Sequence, residues 1–481
     1  MKSTKYTKKH LLLILPVLFV IIYIGTITYG VNRPLPNENI SYKSELKPVI
    51  DPVFLTDLSY AKNDNRVLEQ DIFDYINEMI NNADEFVLFD MFLFNNIYGE
   101  DENFPALADE MSNALLKKKQ DDPNVAITVI TDPVNTMYGA NQPDHLERLS
   151  QADIPVIISD LDSLRDSNPL YSGFYKLFLQ WDSLKLIDGL PNALGTNGKD
   201  ANLHSYLTSL TGKANHRKVV LTDHEALISS GNPHDASAYH NNVAIAFKGS
   251  LLEDLLITEE AVTQYSANQS IKTNEYMPET VGEQSEVLGQ ILTERPIHER
   301  ALSIINEAQE GDTIWIALLY LSESNICDAL IDAANRNVSV QLILDQNIES
   351  FGNKKIGLPN KPVAYRLMNE GNDNVQIRWY ETEKEQYHPK ILFLDSDHTS
   401  EILSGSANFT RRNLEDLNLE TNIYLTASSD TEIMNDVRDY FERIWTNEDG
   451  IYTADYETYK DESLWLRGIF FIQKLTKLST F

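Results

Sequence analysis

Apolar positions along the chain fall into two kinds of run. The first is one uncharged stretch from Leu11 to Val31, preceded by Lys2, Lys5, Lys8 and Lys9. A helix needs about twenty apolar residues to cross the hydrocarbon core of a bilayer, and flanking lysines stay on the cytoplasmic side. The pattern predicts a lysine-rich start and membrane anchor over 1–33, with everything after Arg33 outside the cytoplasm. The competing reading is a cleaved signal peptide with Thr28 and Gly30 ahead of the cut, which would leave the protein secreted. From 34 to 67 the chain is polar, punctuated by Pro and Asn, and reads as a linker.

The second kind is short, β-branched and repeated in order. Glu85 to Phe94 (EFVLFDMFLF) answers to Thr313 to Ser322 (TIWIALLYLS), and Val125 to Asp132 (VAITVITD) to Val338 to Asp345 (VSVQLILD). His216 to Asp223 (HRKVVLTD) answers to His388 to Asp395 (HPKILFLD). Such runs, separated by helical patterns such as Ile297 to Glu310 and Ser324 to Asn335, read as buried strands of α/β units. Two α/β halves are expected, over 68–275 and 276–455, followed by an amphipathic carboxyl-terminal segment over 456–481. The interval from Asp132 to His216 exceeds that from Asp345 to His388, which places an insertion near 163–204 in the first half. It carries Tyr171, Phe174, Tyr175, Phe178 and Trp181, suited either to a membrane interface or to ordinary packing. The same two readings stand for Leu464 to Leu478, where aromatics mix with Arg467, Lys474 and Lys477.

Composition narrows the chemistry. The 481 residues are ample for more than one core. With 72 acidic against 40 basic residues the formal charge is −32, which disfavours a general nucleic-acid partner. The one cysteine, Cys327, excludes an intrachain disulfide framework and a thiolate zinc cluster.

The string from His388 continues as SGSANFTRRNLEDLNLE over Ser404 to Glu420. His388, Lys390, Asp395, Gly405, Ser406, Asn408 and Glu420 resemble the phospholipase D superfamily signature, His-x-Lys-x4-Asp followed by Gly-Ser-x-Asn and a carboxylate. The first half repeats it as His216, Lys218 and Asp223, then Ser229, Ser230 and Asn232. It departs from the pattern twice. Ser229 replaces the glycine, and Tyr239-His240-Asn241-Asn242-Val243 carries no carboxylate, so either His240 or Asn241 takes over the orienting role or His216 is less strongly supported than His388. The resemblance runs over Leu68 to Gly450 and implies two pseudo-symmetric α/β/α sandwich halves with the active site at their interface. It also implies structural roles for Asp223 and Asp395.

These residue types suit phosphodiester chemistry. Lys218, Lys390, Asn232, Asn408, Ser230 and Ser406 can donate to the non-bridging oxygens and stabilise the charge that builds on phosphorus, so neither metal nor cofactor is required. One imidazole attacks phosphorus, and the other protonates the leaving alcohol and then activates water or an acceptor alcohol. Glu420 is expected to hold the ring of His388. His216 is assigned as nucleophile and His388 as general acid, because by resemblance the amino-terminal histidine attacks in several family members and because Glu420 would raise the basicity of His388 and help it hold a proton for the leaving group; the chemistry alone permits the reverse. The expected substrate is a phospholipid at a membrane, in a cardiolipin synthase-like transfer or a phospholipase D-like hydrolysis, with no obligate protein partner. The alternatives are an extracellular endonuclease of the same superfamily, and a lipid- or phosphate-binding surface protein without turnover.

Overall fold

The computed structural model describes residues 3–99, 103–192, 194–271, 273, 285–350 and 353–479, with the backbone alone at 3–13, 349, 350 and 353. The boundary expected between 275 and 276, and Met1 and Lys2 of the lysine-rich start, lie outside the described residues. Ser3–Asn32 is one helix, apolar over Ile14–Asn32 and long enough to cross a membrane.

The repeated runs form the centres of two mixed sheets. In the first, the strand order is 65–70, 50–62, 242–248, 226–229, 218–222, 86–91, 126–131 and 156–158. In the second it is 47–48, 288–293, 421–428, 399–405, 390–395, 313–318, 339–344, 375–380 and 453–455. Seven consecutive strands therefore follow the same order in both, and each motif strand, Lys218–Thr222 or Lys390–Asp395, lies antiparallel between its two neighbours.

Alternation explains why these strands read as unbroken apolar runs. Val219 and Leu221 enter a core that also holds Ile391 and Phe393, whereas Val220 and Leu392 point to separate outer cores. Side chains of a strand alternate between faces, so a strand buried on both shows no polar period. Two helices, Leu251–Ala267 and Glu432–Thr446, fill the shared core between the sheets. Others cover the outer faces, Ile72–Asn82 and Leu107–Asp121 on the first and Arg295–Glu307 and Ser324–Asn335 on the second.

The reading of 34–67 as a linker is corrected. Ile50–Lys62 is a thirteen-residue strand of the first sheet, and Lys47–Pro48 pairs with the second. Its period was masked by a register shift between Ile50 and Val53, where Asp51 has φ of 44°. Beyond it, Asp57, Leu58, Ser59 and Tyr60 are all buried.

Candidate active site

The two motif histidines stand two residues ahead of Lys218 and Lys390, which open the central strands. Each is stitched to the opposite half. The His216 N–H donates to the Leu419 carbonyl at 2.8 Å and the His388 N–H to the Asn241 carbonyl at 2.9 Å, within isolated parallel bridges of Asn215 with Leu419 and Asn241 with Tyr387.

That stitching crosses the orienting groups over. Nδ1 of His216 lies 3.0 Å from Oε2 of Glu420, and Nδ1 of His388 lies 3.0 Å from Oδ1 of Asn242. The expectation that Glu420 holds His388 is corrected, because Leu419 and Glu420 run beside 215–216 of the other half. The counterpart of Glu420 is Asn242, not His240 or Asn241. Asn241 Oδ1 instead accepts from the Ser59 N–H at 2.7 Å and the Tyr380 hydroxyl at 2.8 Å. Nδ1 of His240 accepts from the Gln386 N–H, and its ring sits 5.8 Å from that of His388. The Asn242 amide is fixed by its other partners: Nδ2 donates to the His240 carbonyl at 3.1 Å and to Asp57 Oδ2 at 3.4 Å. With acceptors at both Nδ1 positions, each ring carries its proton there and keeps the Nε2 lone pair for chemistry.

The serines expected to bind phosphate do something else. Ser406 Oγ donates to Glu420 Oε2 at 2.5 Å and accepts the Thr421 N–H at 3.0 Å. Ser230 Oγ donates to Asn242 Oδ1 at 3.2 Å and accepts the Val243 N–H at 3.0 Å. A hydroxyl has one proton to give, and in both halves it goes to the group that holds a histidine. The glycine replaced by Ser229 has a local cause in the second half, where a Cβ on Gly405 (φ +158°) would meet the Thr421 carbonyl at 2.3 Å. Ser229 Oγ instead accepts the Gly231 N–H at 2.8 Å.

Lys218 and Lys390 are fully buried, and each Nζ donates to the carbonyl of its motif histidine at 2.6 Å. An ammonium has three protons, so donors remain for a ligand. The Phe92 ring covers His216 at 4.7 Å and Lys218 at 5.1 Å. Asn232 Oδ1 accepts the Leu93 N–H at 3.2 Å, while the buried Oδ1 of Asn408 has no hydrogen-bond partner.

The site is short of negative charge. Burial pushes the Lys218 ammonium down to about 7 against the pull of Glu420, Asp90 and Asp132. Burial and the neighbouring Lys218 drive Lys390 well below the ordinary lysine range. Burial takes His216 down to about 4 although Glu420 opposes it, and burial with Lys390, His240 and Lys218 nearby takes His388 well below its usual value. An anion bound among these groups would oppose each of those shifts.

The motif aspartates lie at the far ends of their strands. Asp223 accepts the N–H groups of Asp84, Glu85 and Phe86, and Asp395 pairs with Arg438 at 2.7 Å. Asp84, Asp223 and His224 also bring ligand atoms within 4.8 Å of one another, but Asp223 is already occupied by the backbone.

Sequence reasoning missed the layer beneath. Arg217, fully buried, pairs with Glu259 at 3.1 Å and Glu294 at 3.2 Å. The same Glu294 oxygen accepts the Glu420 N–H at 3.0 Å, from a backbone at φ 52°. Asp90 accepts from Asn215 at 2.9 Å, next to His216. The available signal was the x of His-x-Lys, an arginine in one half where the other has Pro389.

Residues 301–445 match the family model described as "Cardiolipin synthase, PLD-like domain". The crystal structure of phosphatidylserine synthase from Haemophilus influenzae Rd KW20 superposes with a TM-score of 0.55 at 10% identity, covering 89% of this chain and 94% of that one. Polyphosphate kinase from Porphyromonas gingivalis gives 0.44 at 11% identity over 89% of this chain and 53% of that one. The phospholipase D family member Nuc from Salmonella typhimurium gives 0.26 at 18% identity over 34% and 97%. No curated protein sequence matches the chain. The two-sheet fold is shared with that phosphatidylserine synthase. Residues 301–445 thus carry a phospholipase D-like domain.

Proposed function

We propose that this protein cleaves phospholipid phosphodiesters through a phosphohistidine on His216, passing the phosphatidyl group to water or to an acceptor alcohol. The observation that carries the reading is the crossed pair of buried histidines, both with Nδ1 held and both beside a buried lysine whose Nζ donates to a backbone carbonyl. The family match to a cardiolipin synthase domain and the fold shared with a phosphatidylserine synthase support a lipid substrate. Lys218, Lys390, Asn232 and Asn408 are the proposed phosphate ligands.

Nε2 of His216 attacks phosphorus, and the bond to the leaving oxygen breaks as His388, held as the imidazolium by the anionic phosphate bound beside it, delivers its Nε2 proton there and returns to the Nδ1–H tautomer. The ring of His216 becomes cationic on phosphorylation, and Glu420 stabilises that charge. Water or an alcohol then attacks phosphorus, His388 takes its proton, and the P–N bond breaks. A carboxylate belongs on the ring that must carry positive charge through the intermediate. A neutral amide belongs on the ring that must give up and regain a proton in each cycle. Glu420 beside His216 rather than His388 removes one reason for that assignment and supplies this one in its place.

The N-terminal helix is proposed as an uncleaved anchor, with the two halves and the 163–204 insertion on its extracytoplasmic side. The functional test is a panel of phosphatidylglycerol, phosphatidylcholine, cardiolipin and single-stranded DNA, each with and without glycerol. Turnover of a lipid with release or exchange of its headgroup is expected; cleavage of DNA alone would overturn the reading.

A further inference from the structure

The insertion and the carboxyl-terminal helix leave large apolar side chains in solvent. In the insertion, Trp181 is 61% and Leu186 85% exposed; in the helix Leu464–Thr476, Trp465 is 64% and Leu475 72% exposed. Along that helix Trp465, Phe471, Ile472 and Leu475 recur at helical spacing on one face, while Leu466 on the other packs against the body. From Ser463 to the end the chain holds Arg467, Lys474 and Lys477 and no acidic residue, within a protein of net charge −32. A basic amphipathic helix of this kind suits an anionic lipid surface.

The insertion is tied to the anchor helix, and both regions are tied to the second half just beyond Asn408. The insert helix Pro169–Phe178 packs along the anchor: Phe178 meets Phe19 with centroids 5.8 Å apart, the Tyr23 hydroxyl donates to the Leu170 carbonyl at 2.6 Å, and a Cβ on Gly173 would strike Ile27. Phe19 stands 32 − 19 = 13 residues before the end of the anchor at Asn32, about 20 Å at 1.5 Å per residue. The insert therefore follows the anchor toward the bilayer. Its lysines are paired: Lys176 reaches back to both oxygens of Asp166 at 2.7 Å, Lys185 meets Asp182 at 2.8 Å and Lys199 meets Asp144 at 3.0 Å. The feet of the insert rest on the second half just beyond Asn408, where Arg411 donates to the Ser167 carbonyl and Arg412 to Asn168 Oδ1. Arg412 also donates to the carbonyl of Ser479, past the end of the carboxyl-terminal helix. Three apolar elements thus converge beside the motif residues.

We infer that the insertion and the carboxyl-terminal helix are two further membrane contacts, which together with the anchor seat the site mouth on the surface of the same bilayer. The inference rests on the anchor reading and is independent of catalysis. Of five tryptophans, only Trp181 and Trp465 are exposed; Trp315 and Trp379 are buried and Trp445 half-buried. The test places the full chain in nanodiscs of phosphatidylglycerol and phosphatidylcholine carrying bromine on the acyl chains, and reads tryptophan emission. Quenching of about two fifths of the emission is expected for two interfacial tryptophans in five, with about half of it lost in Trp181→Phe, half in Trp465→Phe and all in the double variant. A chain that fails to enter the discs, one whose emission is unquenched, or a double variant quenched like the parent overturns the inference. His216→Ala should quench like the parent, which separates this result from any failure of the catalytic reading.

Discussion

The two halves of this molecule build one histidine each to the same backbone plan and support it with different chemistry. Ser406 and Ser230 play the same part, donating to the group that orients the histidine and accepting the next backbone N–H. The oriented groups differ: a carboxylate on His216 and a carboxamide on His388. A charged acceptor favours an imidazolium, whereas a neutral one fixes the tautomer without holding the proton. In the proposed reaction the halves are therefore unequal partners, and each histidine is held by a residue contributed by the opposite half.

The largest effects should come from the histidines themselves. His216→Ala and His388→Ala should each lower turnover by at least about 10⁴-fold, and the double variant by little more, since members of a catalytic unit are not additive. Steady-state rates on the lipid substrate check this, and a single variant retaining more than about a tenth of the activity would break the two-histidine site. Next in size is Glu420→Gln, expected to reduce kcat by about 10³-fold while leaving KM within about threefold, on the scale of losing an orienting carboxylate.

Asn242→Asp sharpens the comparison by making the halves alike. A carboxylate on His388 raises the pH at which that ring loses its proton, so the alkaline limb of the kcat profile should move upward, with a rate change below about tenfold at its optimum. A profile that does not move would mean that His388 is not the acid.

The smallest expected effect concerns Asp57, which accepts from Asn242 and is held up at about 7 by burial. An unfolded aspartate titrates near ~3.9, so the folded state binds the proton more tightly. The contribution of this group to stability is complete below about pH 4 and declines as pH rises through about 7. Asp57→Asn should flatten that part of the decline in a thermal-midpoint series from pH 4 to 8, with Asp132, also held at about 7, retaining its share.

Much of this was legible in the chain. The doubled runs located the central strands because a strand buried on both faces is written as uninterrupted β-branched residues, and the His-x-Lys pairs located the site. What the sequence hid was relational. Whether Glu420 faces His388 or His216 is decided by the bridge of Leu419 to Asn215 across the two halves, which no local spacing records. Ser230 and Ser406 look like phosphate donors as residue types, and only their hydrogen bonds show that the proton is already committed. Ile50–Lys62 escaped because a register shift and a positive φ at Asp51 break its alternation. Arg217 gave a visible cue as the residue within His-x-Lys, but its partners Glu259 and Glu294 lie 42 and 77 positions away.

The central claim is the division of labour between His216 and His388. Rapid mixing with a phosphorus-labelled substrate whose adduct hydrolyses slowly, quenching without acid and mapping the labelled peptide would locate the phosphohistidine. Label on His216, with its yield sharply reduced in Glu420→Gln, is the predicted result; label on His388 would contradict the account.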